Sequence, residues 1–94
     1  MEVLRIEISK SARGQLGKMP YSIQDSFLKW VDRIEKIGIQ ETRKIRGYHD
    51  EPLTGDRKGQ RSVRLNRAYR AIYIQRILGE IMILEVLEIN KHRY

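Results

Sequence analysis

With 94 residues the chain makes one small domain, residues 1–94, which buries roughly 60 to 65% of its unfolded surface and leaves no room for a second core. Cysteine is absent, which excludes disulfide frameworks, thiolate nucleophiles and cysteine zinc sites and suits a reducing compartment. Nineteen Lys and Arg against 12 Asp and Glu give a formal charge of +7, which points to a polyanionic partner.

No apolar run approaches the ~20 residues needed to span a bilayer. The opening Met1-Glu2-Val3-Leu4-Arg5 lacks the basic stretch followed by a long apolar core that marks a secretory signal. The expectation is a soluble cytoplasmic protein with no membrane partner.

Residues 3–9 place Leu4, Ile6 and Ile8 on one face and Val3, Arg5 and Glu7 on the other, the alternation of a half-buried strand. Ser9 or Ser11 then caps a short helix through Leu16, weakened by Gly14 and Gly17. After Pro20, the Ser22 and Asp25 spacing has capping-box character. Ile23, Phe27, Trp30, Val31, Ile34 and Ile37 recur at three- and four-residue spacing and predict a helix ending near Gly38, with Trp30 in the core. Residues 39–45 have room for another helical turn or two.

Residues 47–60 hold Gly47, Pro52, Gly55 and Gly59 among polar neighbours and read as a structured loop, long enough for a compact domain to suggest function. Residues 61–65, 68–77 and 81–89 carry β-branched and aromatic side chains, and Leu78-Gly79-Glu80 supplies a tight turn between the last two. Arg61, Arg64, Arg67 and Arg70 recur every three residues, but the apolar residues do not share that period, and Ile72-Tyr73-Ile74 favours a central strand. The predicted order is strand, helix, helix, then a three-stranded antiparallel meander, an α+β fold.

Residues 57–76 carry seven basic side chains and no acidic one. Such a stripe attracts phosphates with an affinity that falls as salt rises, because each contact releases counterions. The bland account is a solvated, solubilising face. Tyr69 and Tyr73 lie within the stripe, where they either stack on unpaired bases or pack in the sheet, and packing is favoured for at least one.

The loop His49-Asp50-Glu51-Pro52-Leu53-Thr54-Gly55, the strand Arg61-Ser62-Val63-Arg64-Leu65, the Tyr69-Arg70 pair before an apolar strand, and the ending Asn90-Lys91-His92-Arg93-Tyr94 together resemble the RelE/ParE superfamily of bacterial toxins. They look most like its YoeB-like and HigB-like messenger RNA interferases. The resemblance spans nearly the whole chain and implies a RelE-like β-α-α-β-β-β fold, with the first strand joining the sheet and the helices on one face. It also implies cleavage of an RNA phosphodiester, in which a base takes the 2′-hydroxyl proton, a cation holds the charge on phosphorus and an acid protonates the departing 5′-oxygen.

By that resemblance Glu51 is the base, Arg70 the phosphate-binding cation and His92 the acid, since imidazole changes protonation near neutral pH. Taken alone, each has an ordinary reading as a solvated loop carboxylate, a strand-face cation and an exposed tail residue. Lys58, Arg61, Arg64 and Arg67 are expected around them as RNA phosphate binders. His49 is a secondary candidate, as is Tyr94, although Arg93 separates Tyr94 from His92 where the YoeB-like ending has tyrosine directly after histidine.

Two histidines and scattered carboxylates show no metal-ligand spacing, so neither metal nor other cofactor is expected. The implied partners are messenger RNA on the ribosome, at its decoding site in 16S RNA, and a cognate antitoxin forming a heteromeric complex. Two alternatives from other classes are a ParE-like DNA gyrase inhibitor, which shares the fold but generally lacks the acid-base residues, and a non-catalytic RNA- or protein-binding module.

Overall fold

The computed structural model describes residues 3–91. In β1 (Val3–Ile8), Leu4, Ile6 and Ile8 pack against the core and Arg5 is exposed, as the alternation predicts. Ser9 ends this strand and caps α1 (Lys10–Gly17): its hydroxyl accepts from the Ala12 amide at 3.0 Å and donates to the Leu87 carbonyl at 2.9 Å. Of the two serines weighed as caps, Ser9 therefore satisfies a first-turn amide and also ties the helix start to the sheet.

The long helix α2 (Tyr21–Arg43) buries Ile23, Phe27, Trp30 and Ile34 at the predicted spacing. Trp30 stacks at a tilt between Phe27, 5.9 Å away, and Tyr73 of the sheet, 5.3 Å away, so it links helix to sheet. Two expectations need correction. The helix starts at Tyr21, directly after Pro20, which leaves Ser22 inside the first turn where it cannot cap; Asp25 pairs instead with Lys29 at 3.0 Å. The other concerns the apolar stripe, which shifts at Gly38, where the first helical run ends as expected and residues 39–43 add the further turns. Gly38 adopts φ 85° and ψ 164°, a region open essentially only to glycine, and helical turns resume beyond the kink.

The kink resets the buried face. Ile37, expected in the apolar stripe, is 47% exposed, while Ile39 and Thr42 turn inward. The Thr42 hydroxyl donates to the Gly38 carbonyl at 2.7 Å, one turn back across the kink.

One five-stranded sheet carries the order β1-β5-β4-β3-β2, in which β2 is Glu51–Pro52, β3 Gln60–Arg64, β4 Tyr69–Leu78 and β5 Ile81–Lys91. β1 runs parallel to β5 and the remaining pairs are antiparallel. The expected β-α-α-β-β-β order is present with one addition: the 47–60 loop contains the two-residue strand β2, flanked by short 3-10 turns at Arg46–Tyr48 and Gly55–Arg57. Pro52 fits there because β2 is an edge strand and its missing amide breaks no ladder.

Gly79, with φ 62°, makes the tight turn between β4 and β5. The core lies between the helices and one sheet face, joining Phe27, Trp30 and Ile34 to Val63, Ala71, Tyr73, Leu84 and Val86. The other face is open and bears charged pairs such as Arg76 with Glu85 at 3.0 Å. No helix among the described residues is long and apolar enough to cross a membrane.

Candidate active site

The functional reading depends on which face each side chain of the β2-β3-β4 corner takes. In β3, Val63 is fully buried in the helix-facing core, so Ser62 and Arg64 alternate to the open face. Antiparallel register then sets Glu51 opposite Ser62 and Arg70 opposite Arg64. Directly opposed like charges destabilise a sheet unless something anionic comes between them.

The connection from β3 to β4 completes the corner. Asn66 Oδ1 accepts from the amides of Ala68 at 2.8 Å and Tyr69 at 2.9 Å, and Leu65 N–H donates to the Tyr69 carbonyl at 2.9 Å. This tight reversal lets Arg67 line the same cleft as Arg64 and Arg70. The cleft has a volume of about 220 Å³, with Tyr69 and Asn66 in its wall and His49 and Glu51 across from the arginines.

His49 is the described non-glycine residue with positive φ, at 44°, and its Nε2 lies 3.4 Å from Glu51 Oε2. Both side chains are more than half exposed, so the carboxylate and the imidazole are reachable by a ligand in the cleft. Among the described residues, three guanidinium groups, one carboxylate and one imidazole thus line a small open cavity. Such a set attracts an anion and holds a proton acceptor beside it.

Arg70 projects into this cleft with one guanidinium edge held: its Nε donates to Asn90 Oδ1 at 3.2 Å, across the β4-β5 register pair. Arg61 takes another course. Its Nε donates to Asp50 Oδ1 at 2.6 Å on the helix side of β3, and the Asp50 side chain is only 1% exposed. The second Asp50 oxygen accepts from the Tyr73 hydroxyl at 2.5 Å, which in turn accepts from Arg43 Nε at 3.1 Å. Arg43 closes the cluster through Gln75 Oε1 at 2.7 Å.

Burial and the hydrogen bond to Asp50 push the Tyr73 hydroxyl up to about 12, with Arg43 opposing. For Arg61 burial alone would lower the pKa, but the hydrogen bond and charge of Asp50 outweigh it and hold the guanidinium above its ordinary value.

Of the residues singled out in the sequence, the cleft therefore gathers Glu51, Arg70, Arg64, Arg67 and His49. Arg61, expected beside phosphate, is committed to Asp50. Lys58 is exposed after the Gly55–Arg57 turn and does not line the cleft. His92 and Tyr94 lie outside the described residues; the last described residue, Lys91, pairs with Tyr69 at the cleft wall. Sequence reasoning passed over Ser62 and Asn66. Strand alternation from Arg64 would have found the first, and the turn propensity of asparagine the second. Among the described residues no three His, Asp or Glu side chains gather as a metal-holding group.

A small α+β domain with an arginine-rich cleft at the open corner of its sheet is the class that fold and site define. No protein-family model and no curated protein matches the sequence. Solved structures do. The chain is similar to the YoeB/ParE toxin from Agrobacterium tumefaciens, with a TM-score of 0.72 and 17% identity over 95% of this chain and 99% of that one. It is also similar to a chain of the toxin-antitoxin complex RelBE2 from Mycobacterium tuberculosis, with a TM-score of 0.64 and 22% identity over 97% and 98%. A third likeness is to the YoeB-YefM complex from Staphylococcus aureus, with a TM-score of 0.67 and 17% identity over 97% and 98%. The chain has the RelE-like α+β fold.

Proposed function

We propose that this protein is the toxin of a type II toxin-antitoxin system, an endoribonuclease that cuts messenger RNA in the Arg64, Arg67 and Arg70 cleft. The observation that carries the reading is the cross-strand pair Arg64 and Arg70 in one cleft with Glu51, an opposition of like charges that an anion such as phosphate relieves. The resemblance read from the sequence and the fold of the similar toxins support it.

In this mechanism the RNA strand lies across the open face with its scissile phosphate between Arg64 and Arg70. Glu51 removes the proton from the adjacent 2′-hydroxyl, whose oxygen attacks phosphorus. Arg70 neutralises the charge gathering on the non-bridging oxygens, where a planar fork of donors suits the geometry. His92 gives a proton to the 5′-oxygen as its bond to phosphorus breaks. The products are a 2′,3′-cyclic phosphate and a 5′-hydroxyl end. Arg64 and Arg67 position neighbouring phosphates, and His49, close to Glu51, helps to orient the base. No metal enters this scheme.

The ribosome presents the messenger in its decoding site, and the basic surface suits ribosomal RNA. An antitoxin, acidic where it meets this surface, neutralises the toxin; the RelBE2 and YoeB-YefM structures are of toxin-antitoxin complexes and motivate that partner. Primer extension on a defined messenger in a purified translation system tests the scheme, comparing wild type with Glu51→Ala, Arg70→Ala and His92→Ala, with and without ribosomes. Discrete cuts that need ribosomes and vanish in the variants support it. Cuts without ribosomes mean a free ribonuclease, and no cuts in the wild type overturn the enzymatic reading in favour of topoisomerase inhibition or simple binding.

A further inference from the structure

Behind Arg70 runs a chain of side chains, Arg57, Glu88 and Asn90, none of which itself lines the cleft. Arg57 Nη2 donates to Glu88 Oε2 at 2.8 Å, and Arg57 Nη1 to Gln60 Oε1 at 2.9 Å. The other Glu88 oxygen accepts from Asn90 Nδ2 at 2.5 Å, and Asn90 Oδ1 accepts from Arg70 Nε.

The polarity of this chain follows from chemistry alone. A carboxylate only accepts, so Glu88 forces the NH₂ end of Asn90 toward itself. The carbonyl end of Asn90 must then face Arg70. Arginine only donates, so this is the orientation that satisfies it. With Nε engaged, the two terminal Nη groups of Arg70, which have no partner among the described residues, form the edge left for a phosphate.

We propose that Arg57, Glu88 and Asn90 are positioning residues that fix the rotation of the Arg70 guanidinium, so that it meets phosphate end-on through Nη1 and Nη2. The proposal rests on the ribonuclease reading for its kinetic consequence but not for its structural one. Glu88→Gln places a donor where only an acceptor serves, so Asn90 flips or Arg57 detaches, and Arg70 swings free. Asn90→Asp sets two carboxylates against each other. The two together restore the chain with its polarity moved by one link: the carboxamide at 88 accepts from Arg57 and donates to the carboxylate at 90, which accepts from Arg70.

Two readouts test this. In cleavage assays, Glu88→Gln should lower kcat about tenfold with KM changed less than about twofold, and the double variant should recover most of the loss. In nitrogen-15 NMR of the unliganded protein, the Arg70 Nε–H signal should be sharp in wild type, broadened in Glu88→Gln and sharp again in the double variant. Thermal melting alone cannot produce that pattern, because a merely structural pair gives no rescue of a line on Arg70. A Glu88→Gln protein that cuts at the wild-type rate with an unchanged Arg70 line overturns the proposal, as does a double variant no better than the single one. If the wild type cuts no RNA, the reaction falls and the NMR line alone decides the positioning.

Discussion

Asp50 and Glu51 are neighbours in sequence and opposites in environment. Asp50 turns toward the helices, where Arg61 and Tyr73 occupy both its oxygens and its side chain is closed to water. Glu51 turns to the open face, into a cleft where three arginines outnumber one carboxylate. Both regions are built from arginine, acid and tyrosine. In the buried cluster Arg61 has its anion at hand and Arg43 donates to phenol and carboxamide oxygens, while in the cleft arginines outnumber carboxylates among the described residues. Pairing makes a brace, so the same residue types hold the loop in place on one side and line an open cleft on the other.

The comparison breaks most visibly at Glu51. Its alanine variant should lose about 10²- to 10⁴-fold in RNA cleavage rate while melting like the wild type, since an exposed carboxylate near the cleft arginines supports little stability. Asp50→Ala should do the reverse in kind: Arg61 and the Tyr73 hydroxyl lose their acceptor in a buried place, and chemical denaturation should show a loss of roughly 3 to 5 kcal/mol.

High pH sharpens the contrast. The Tyr73 hydroxyl is raised to about 12 in the folded protein, above its ordinary 10. Its contribution is therefore fully present below pH 10 and fades as pH rises toward 12, where deprotonation would favour the unfolded chain. Stability curves should show wild type losing roughly 2 to 3 kcal/mol more than Tyr73→Phe across that window.

Salt gives a smaller effect. Arg64→Ala and Arg67→Ala should each lower the slope of log affinity for single-stranded RNA against log salt by about 0.7, whereas Arg61→Ala should leave the slope unchanged and lower stability instead. A slope change for Arg61 as large as that for Arg64 would dissolve the distinction between brace and cleft. At the lower end, Gly38→Ala should cost about 1 to 3 kcal/mol, because alanine resists φ 85°, and its effect on cleavage should be slight.

How much of this was legible in the chain depends on the range of the interaction concerned. Alternation assigned Leu4, Ile6 and Ile8 to the core because side-chain direction in a strand is set residue by residue. Helical spacing assigned Ile23, Phe27, Trp30 and Ile34 for the same reason. Ser22 and Ile37 escaped because a one-residue shift of the helix start and a glycine kink each change the face or position a residue takes, and neither leaves a mark in periodicity. Arg61 is the instructive case. Arg61 and Arg64 were both expected to bind phosphate, but an odd spacing along β3 sends them to opposite faces.

By itself, then, the sequence determined an α+β order of elements, its apolar faces, a structured loop at 47–60 and a cationic stripe, since composition and local geometry carry those. The tertiary structure alone decided which arginine Asp50 braces and which line the cleft, because that follows from register. Glu51 opposite Ser62, Arg64 opposite Arg70 and Arg70 opposite Asn90 are pairings between different strands, fixed where a hairpin reverses and a bulge near Ile72 shifts the ladder.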